Sequence, residues 1–164
     1  MNKKELRKYA IELRKSLTYN KDLLEEDLLK LVKDYKTIAI YNPLPYEIDV
    51  TFLKKYDFNL CYPHTFGYDM EFYMNPSKFS EGRFHVLEPL DGTLVDKKDI
   101  DIMIVPALVI NSRNYRIGYG KGYYDKYLNN TNIKTIGICY KELFLDFLEE
   151  NNDVKLGEIL ICRQ

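Results

Sequence analysis

The run Ile102-Met103-Ile104-Val105 has no polar residue at either alternating position, so a strand built from it must be covered on both faces. Ile38-Ala39-Ile40 and Ile136-Gly137-Ile138 share that property, within the β-rich runs 37–41 and 135–138. Residues 59–62 and 71–74 complete the strand-sized segments. Helical spacing fills the stretches before and between them. Leu6, Tyr9, Ala10, Leu13 and Leu17 recur at three- and four-residue steps and predict an amphipathic first helix, with Lys4, Lys8 and Arg14 toward solvent. A second helix starts after Thr18-Tyr19-Asn20 and carries Leu23, Leu24, Leu28, Leu31 and Val32 to about Tyr35. Shorter helices are expected over 50–55, 123–129 and 142–149, and residues 75–99 read as the one long irregular loop. Strands alternating with helices give the α/β class: a single layered, Rossmann-like domain over residues 1–164, with a central, largely parallel sheet flanked by helices.

Charge and cysteine usage narrow the function classes. The chain has 164 residues, enough for one sizeable core, and 24 Lys and Arg nearly balance 25 Asp and Glu. No global positive field exists to hold a nucleic-acid backbone. Cys61, Cys139 and Cys162 lie far apart, with no CxxC pair and only two histidines, which excludes a disulfide framework and a zinc site. A reducing cytoplasm is expected. The apolar runs are strand-sized, against the ~20 residues needed to cross a bilayer, so no membrane partner is expected. The basic start carries Glu5 and Glu12 and no apolar signal core, and it is read as part of the fold.

In an open α/β sheet, ligands bind beyond the carboxyl ends of the strands. The segments there are Asn42-Pro43-Leu44-Pro45-Tyr46-Glu47, Pro63-His64-Thr65 and Pro106-Ala107-Leu108. The last leads toward Arg116-Ile117-Gly118-Tyr119-Gly120-Lys121-Gly122-Tyr123-Tyr124-Asp125, three alternating glycines running into a helical pattern. Such a loop can turn its backbone N–H groups toward an anion, or it can simply be a tight turn. Arg116 and Lys121 favour the anion, since they set a forked and a point cation beside those N–H groups. Asp125 is either a favourable helix-dipole partner or, beside a phosphate, a ligand of a bridging Mg²⁺. Glu47 is either a solvated loop acid or a substrate contact in a loop that two prolines restrict. Lys3, Lys4 and Arg7 read as a solvated basic face. Tyr123, directly after the glycines, is placed to stack on a heterocycle.

These residues resemble the 5-formyltetrahydrofolate cyclo-ligase (5,10-methenyltetrahydrofolate synthetase) family over nearly the whole chain. The markers are Lys3-Lys4-Glu5-Leu6-Arg7, Glu47-Ile48-Asp49, Tyr62-Pro63, Glu88-Pro89, Val105-Pro106, the glycine loop into Tyr123-Tyr124-Asp125, and Asn152-Asp153. The resemblance implies a ligase that closes 5-formyltetrahydrofolate to 5,10-methenyltetrahydrofolate using ATP and Mg²⁺. It implies an ATP site at Lys3, Arg7, Arg116, Ile117, Gly118, Tyr119, Gly120, Lys121, Gly122, Tyr123 and Tyr124, with Arg116 and Lys121 as catalytic cations. Folate contacts fall on Asn42, Glu47, Tyr119, Gly120, Lys121, Gly122 and Tyr123, and metal ligands on Asp125 and Asp153. The expected partner is the small-molecule folate, with the protein a monomer or homodimer. A family member that binds folate and nucleotide without turnover is the alternative.

Overall fold

The computed structural model describes residues 1–164. Its helices are α1 (Lys3–Leu13), α2 (Lys21–Val32) and α3 (Tyr123–Leu128). Its strands are β1 (Thr37–Ala39), β2 (Asn59–Phe66), β3 (Asp69–Met74), β4 (Phe79–Glu81), β5 (Leu87–Pro89), β6 (Thr93–Val95), β7 (Ile102–Val105), β8 (Val109–Ile110), β9 (Arg116–Ile117), β10 (Lys134–Tyr140) and β11 (Glu158–Cys162). Asn2 and Glu5 form a reciprocal capping box at the start of α1, and the Asn20 side chain accepts from the Leu23 N–H at the start of α2.

Seven strands form one sheet in the order β11-β10-β7-β1-β2-β3-β6. The five from β11 to β2 are parallel, and β3 and β6 add on antiparallel beyond β2. Alternate residues serve opposite faces. Ile38, Ile102, Ile104, Ile136 and Ile138 pack with Leu6, Ala10, Leu24 and Leu28 of α1 and α2, whereas Ala39, Met103, Val105 and Cys139 pack with Tyr127 and Leu128 of α3. The chain leaves β1 toward β2 on one side and returns through β7 toward β10 on the other, so the direction reverses between β1 and β7. A ligand crevice is expected at their carboxyl ends.

Several expectations need correction. Residues 142–149 are not helical: after a 3-10 turn at Lys141–Leu143 the chain runs irregularly beside the β8–β9 hairpin. There the Leu145 N–H donates to the Ile110 carbonyl, while the Asn111 amide and Arg113 guanidinium donate to the Phe147 carbonyl, so tertiary partners take the backbone groups a helix would have used. Residues 75–99 hold β4, β5 and β6 rather than one loop, and Val50–Lys55 supplies a 3-10 turn at Thr51–Lys55. Pro63 and His64 lie inside β2, past the point where β1 has ended, so the N–H missing from proline breaks no bond to β1. Arg14 does not face solvent; it is only 8% exposed.

Candidate active site

The glycine loop leaves the β8–β9 hairpin at Ile117 and enters α3 through Gly122. Gly120 and Gly122 have φ of 95° and 71°, the left-handed region that favours glycine, and they turn the chain through the loop. None of the backbone N–H groups from Gly118 to Gly122 donates to a protein acceptor. The Gly118 carbonyl, in contrast, accepts from Arg7 Nε at 2.7 Å, which fastens the loop to α1. At Gly118 a Cβ would stand 2.5 Å from Arg116 Nη1, so glycine there makes room for the guanidinium.

Two cavities lie on either side of this loop. One, of about 310 Å³, is mainly apolar and opens at the carboxyl ends of β1 and β7, where Asn42, Glu47 and Pro106 meet Thr65, Glu88 and Phe84. The other, of about 440 Å³, is mainly polar, lined by Lys3, Lys4 and Arg7 of α1 and by Asp125, Glu150 and Asp153. Arg116, Tyr119 and Gly122 line both. The expected site residues therefore sort into two groups. Lys3, Arg7, Gly118, Gly120, Asp125 and Asp153 line the polar cavity, while Asn42, Glu47, Lys121, Tyr123 and Tyr124 line the apolar one. Ile117 lines neither; its side chain is in the core and its carbonyl accepts from the Leu108 N–H.

Arg116 is buried, held by a 2.8 Å bond from Nη1 to the Pro106 carbonyl and lying 5.2 Å from the Tyr124 ring centroid. Burial lowers its pKa, opposed chiefly by the negative charge of Asp125. Glu47 accepts the Leu44 N–H at 2.5 Å, and burial raises its pKa against that bond and the positive charge of Arg14. The Tyr119 hydroxyl, pushed up to about 12 by burial, faces Glu47 and Arg14. Lys121 is exposed, its ammonium 5.3 Å from the centroid of the Phe84 ring at the mouth of the apolar cavity.

No three His, Cys, Asp or Glu side chains gather into an all-protein metal cage. Mg²⁺ does not require one, since it is commonly held by one or two carboxylates together with phosphate oxygens and water. The polar cavity supplies that donor set. Asp125 Oδ1 accepts from the Val154 N–H at 3.1 Å, and Asp153 Oδ2 accepts from Lys3 Nζ at 2.5 Å and from the Glu150 N–H at 2.8 Å. Both carboxylates are positioned by the backbone on a wall facing cations, so the residues fit an ion bound together with an anionic ligand.

Residues 2–162 match the profile of the 5-formyltetrahydrofolate cyclo-ligase family. The chain belongs to this family. A 5-formyltetrahydrofolate cyclo-ligase of Mycoplasma genitalium is 33% identical over 134 residues, spanning 77% of this chain and 72% of that one. One from Mycoplasma pneumoniae is 31% identical over an alignment of 175 residues, covering 98% of each. Among solved structures, a 5,10-methenyltetrahydrofolate synthetase of M. pneumoniae superposes with a TM-score of 0.79 at 27% identity, covering 97% of this chain and 98% of that one. The synthetase of Aquifex aeolicus gives 0.81 at 27% identity, over 100% and 93%. This member of the cyclo-ligase family is thus a ligase by descent, with the family's α/β fold.

The structure also brings to the cyclo-ligase cavities residues that the sequence reading gave no role. Glu88 lines the apolar cavity although only 7% exposed. Its carboxylate accepts from the Thr65 N–H at 3.1 Å and hydroxyl at 2.8 Å, and stands 2.9 Å from His64 Nδ1. Asn42 donates to the neighbouring Leu87 carbonyl at 3.0 Å, so these two side chains fix β5 as a cavity wall. Beyond it, Arg83 bonds the Gly67 carbonyl at 2.8 Å and also meets the Tyr123 hydroxyl. Phe84 and His85 hold φ of 60° and 61°, a strained tandem for side-chain-bearing residues. The Glu88-Pro89 pair was the only sequence signal for this wall: an acid framed by Val86, Leu87 and proline has reason to be buried and paired. No helix is long and apolar enough to cross a membrane.

Proposed function

We propose that the protein closes 5-formyltetrahydrofolate to 5,10-methenyltetrahydrofolate with conversion of ATP to ADP and phosphate. One observation carries this reading: a polar cavity lined by both cations and carboxylates and an apolar cavity lie back to back across a single glycine loop, with Arg116, Tyr119 and Gly122 common to both. A phosphoryl donor on one side and an apolar heterocycle on the other would meet at those residues. Phosphoryl transfer rests on positioning and charge stabilisation, and a site of this form supplies both without an enzyme nucleophile.

In this scheme Lys3 and Arg7 bind the nucleotide phosphates, and the free N–H groups from Gly118 to Gly122 hold the γ-phosphoryl group. Asp125 and Asp153 hold Mg²⁺, which when bound neutralises phosphate charge and fixes phosphate orientation. On the other side, Glu47 and Asn42 orient the pterin, Tyr123 stacks beside it, and Glu88 keeps the wall in place. The formyl oxygen attacks the γ-phosphorus as its bond to ADP breaks. The neighbouring folate nitrogen then attacks the activated formyl carbon and loses its proton, and phosphate departs with the former formyl oxygen. Arg116 and Lys121 stabilise charge on the phosphoryl group as it passes between the cavities. The ordinary test mixes the protein with 5-formyltetrahydrofolate, ATP and Mg²⁺ and follows the near-ultraviolet band of the methenyl product. ATP-dependent growth of the band supports the reading; binding of both ligands without growth would establish a non-catalytic member instead.

A further inference from the structure

The mechanism leaves one buried cation unused. Arg14 lies in the 3-10 turn that follows α1, so the helix carrying Lys3 and Arg7 into the polar cavity carries Arg14 beneath the opposite end of the site. The side chain is nearly inaccessible, and its Nε has no hydrogen-bond partner. Its guanidinium carbon lies 5.4 Å from the Tyr119 ring centroid. It shares a crevice of only about 10 Å³ with Glu47, Tyr41, Tyr46 and Tyr140. The Tyr140 hydroxyl bonds the Tyr46 carbonyl at 2.8 Å and the Tyr41 hydroxyl bonds the Ile48 carbonyl at 2.7 Å, so the loop bearing Glu47 is closed down over Arg14. A cation is costly to bury without a partner, and a packing role alone would be met better by an apolar side chain of similar volume.

We propose that Arg14 is a positioning residue for the ring closure: a buried cation behind Glu47 and Tyr119 that fixes the Glu47 carboxylate, as an anion, on the wall of the apolar cavity. The proposal rests on the reading of Glu47 as the group that orients the folate. Glu47 faces Arg14 from the turn after α1, Arg116, Tyr119 and Tyr124 from the glycine-loop region, Tyr41 from the end of β1, Tyr140 from β10, and the Leu44 N–H within its own loop. Arg14 and Arg116 are the two cations in that set. Arg116 is shared with the polar cavity, whereas Arg14 lines only the small crevice and not the two larger cavities. Arg14 therefore reaches the folate side through Glu47, and its one link to the polar cavity is the shared Tyr119 ring.

The test is the kinetics of Arg14→Met across pH, with folding checked by near-ultraviolet circular dichroism. The folate KM should rise by about 10-fold, with the ATP KM within about twofold, and the acid limb of kcat/KM for folate should move up by about one pH unit. Arg14→Lys, which keeps a cation in the crevice, should return that limb toward its original position. In a Glu47→Gln background, Arg14→Met should add less than about twofold, because its effect passes through Glu47. An unchanged folate KM and pH profile in folded Arg14→Met, or full additivity with Glu47→Gln, would overturn the proposal. If Arg14→Met does not fold, Arg14→Gln carries the same comparisons with a polar, uncharged side chain. Failure of the underlying reading has a different signature: Glu47→Gln would itself leave the folate KM unchanged.

Discussion

Adding one methyl group at Gly118 should disable the site by displacing Arg116, with every ligand-binding side chain itself retained. A Cβ at position 118 would lie 2.5 Å from Arg116 Nη1, 3.3 Å from Cζ and 3.4 Å from Nη2. Comfortable contact needs about 3.5 Å, so the guanidinium must withdraw by roughly 1 Å. Arg116 is buried, and withdrawal breaks its 2.8 Å bond to the Pro106 carbonyl. A hydrogen bond to a charged group contributes about 1.5–3 kcal/mol, which for a chain of this size lowers Tm by about 3–12 °C. The kinetic effect should be larger. Removing one preorganised charge donor from a reacting group costs about 2–4 kcal/mol, or about 30- to 1,000-fold in kcat/KM. The assay is methenyl product formation at saturating Mg²⁺ with a thermal melt of the same sample. A lowered Tm with kcat/KM within twofold of the parent would detach Arg116 from the chemistry, and no change in either would refute the steric argument.

Lys121→Ala should lower kcat/KM by about 2–4 kcal/mol of transition-state stabilisation, read in the same assay, and an unchanged value would remove Lys121 from the mechanism. Asp125→Asn keeps an oxygen for the Val154 N–H, so the fold should survive while the Mg²⁺ titration moves to higher concentration; an unaltered titration would make Asp125 structural. Burial raises the Glu47 pKa, so folate turnover should fall with acidification through a pH higher than that of a freely solvated glutamate, and Glu47→Gln should raise the folate KM and flatten that limb. The stability sign is opposite. A carboxyl raised on folding contributes most below its unfolded pKa, and that contribution is lost as pH rises through the folded value, so at neutral pH Glu47→Gln should melt no lower than the parent.

The parallel core was readable because β7, β1 and β10 are apolar on both faces, a pattern that only a doubly covered sheet satisfies. The glycine loop was readable as a tight connection into a helix, because Gly120 and Gly122 take the left-handed φ that leads from β9 into α3. Residues 142–149 were misread because Leu143 and Phe147, both buried, sit at helical spacing, while the Arg113 and Asn111 side chains that claim the Phe147 carbonyl lie more than thirty residues away. Strand β11 was missed although it pairs with β10 over five residues, since its exposed Glu158 and Ile161 blur the alternation at a sheet edge. Arg14 illustrates a different limit. Its charge suggested a solvent-facing side chain, but Arg14 follows the buried Leu6 and Ala10 at four-residue steps and carries their face into the 3-10 turn, beneath the Glu47 loop. The groups that cover its charge come from residues 41–47 and 119 and from β10, which local sequence does not reveal.

The claim that phosphoryl transfer crosses the glycine loop onto the folate is tested most directly by isotope tracing. The substrate would carry ¹⁸O in its formyl group, and the phosphate released during a single ATP-dependent turnover would be analysed by mass spectrometry. The account predicts one ¹⁸O in each phosphate, because the formyl oxygen becomes the bridging oxygen and leaves with phosphorus. Unlabelled phosphate, with the label lost to water, would show that ATP hydrolysis and ring closure occur without a phosphorylated formyl group.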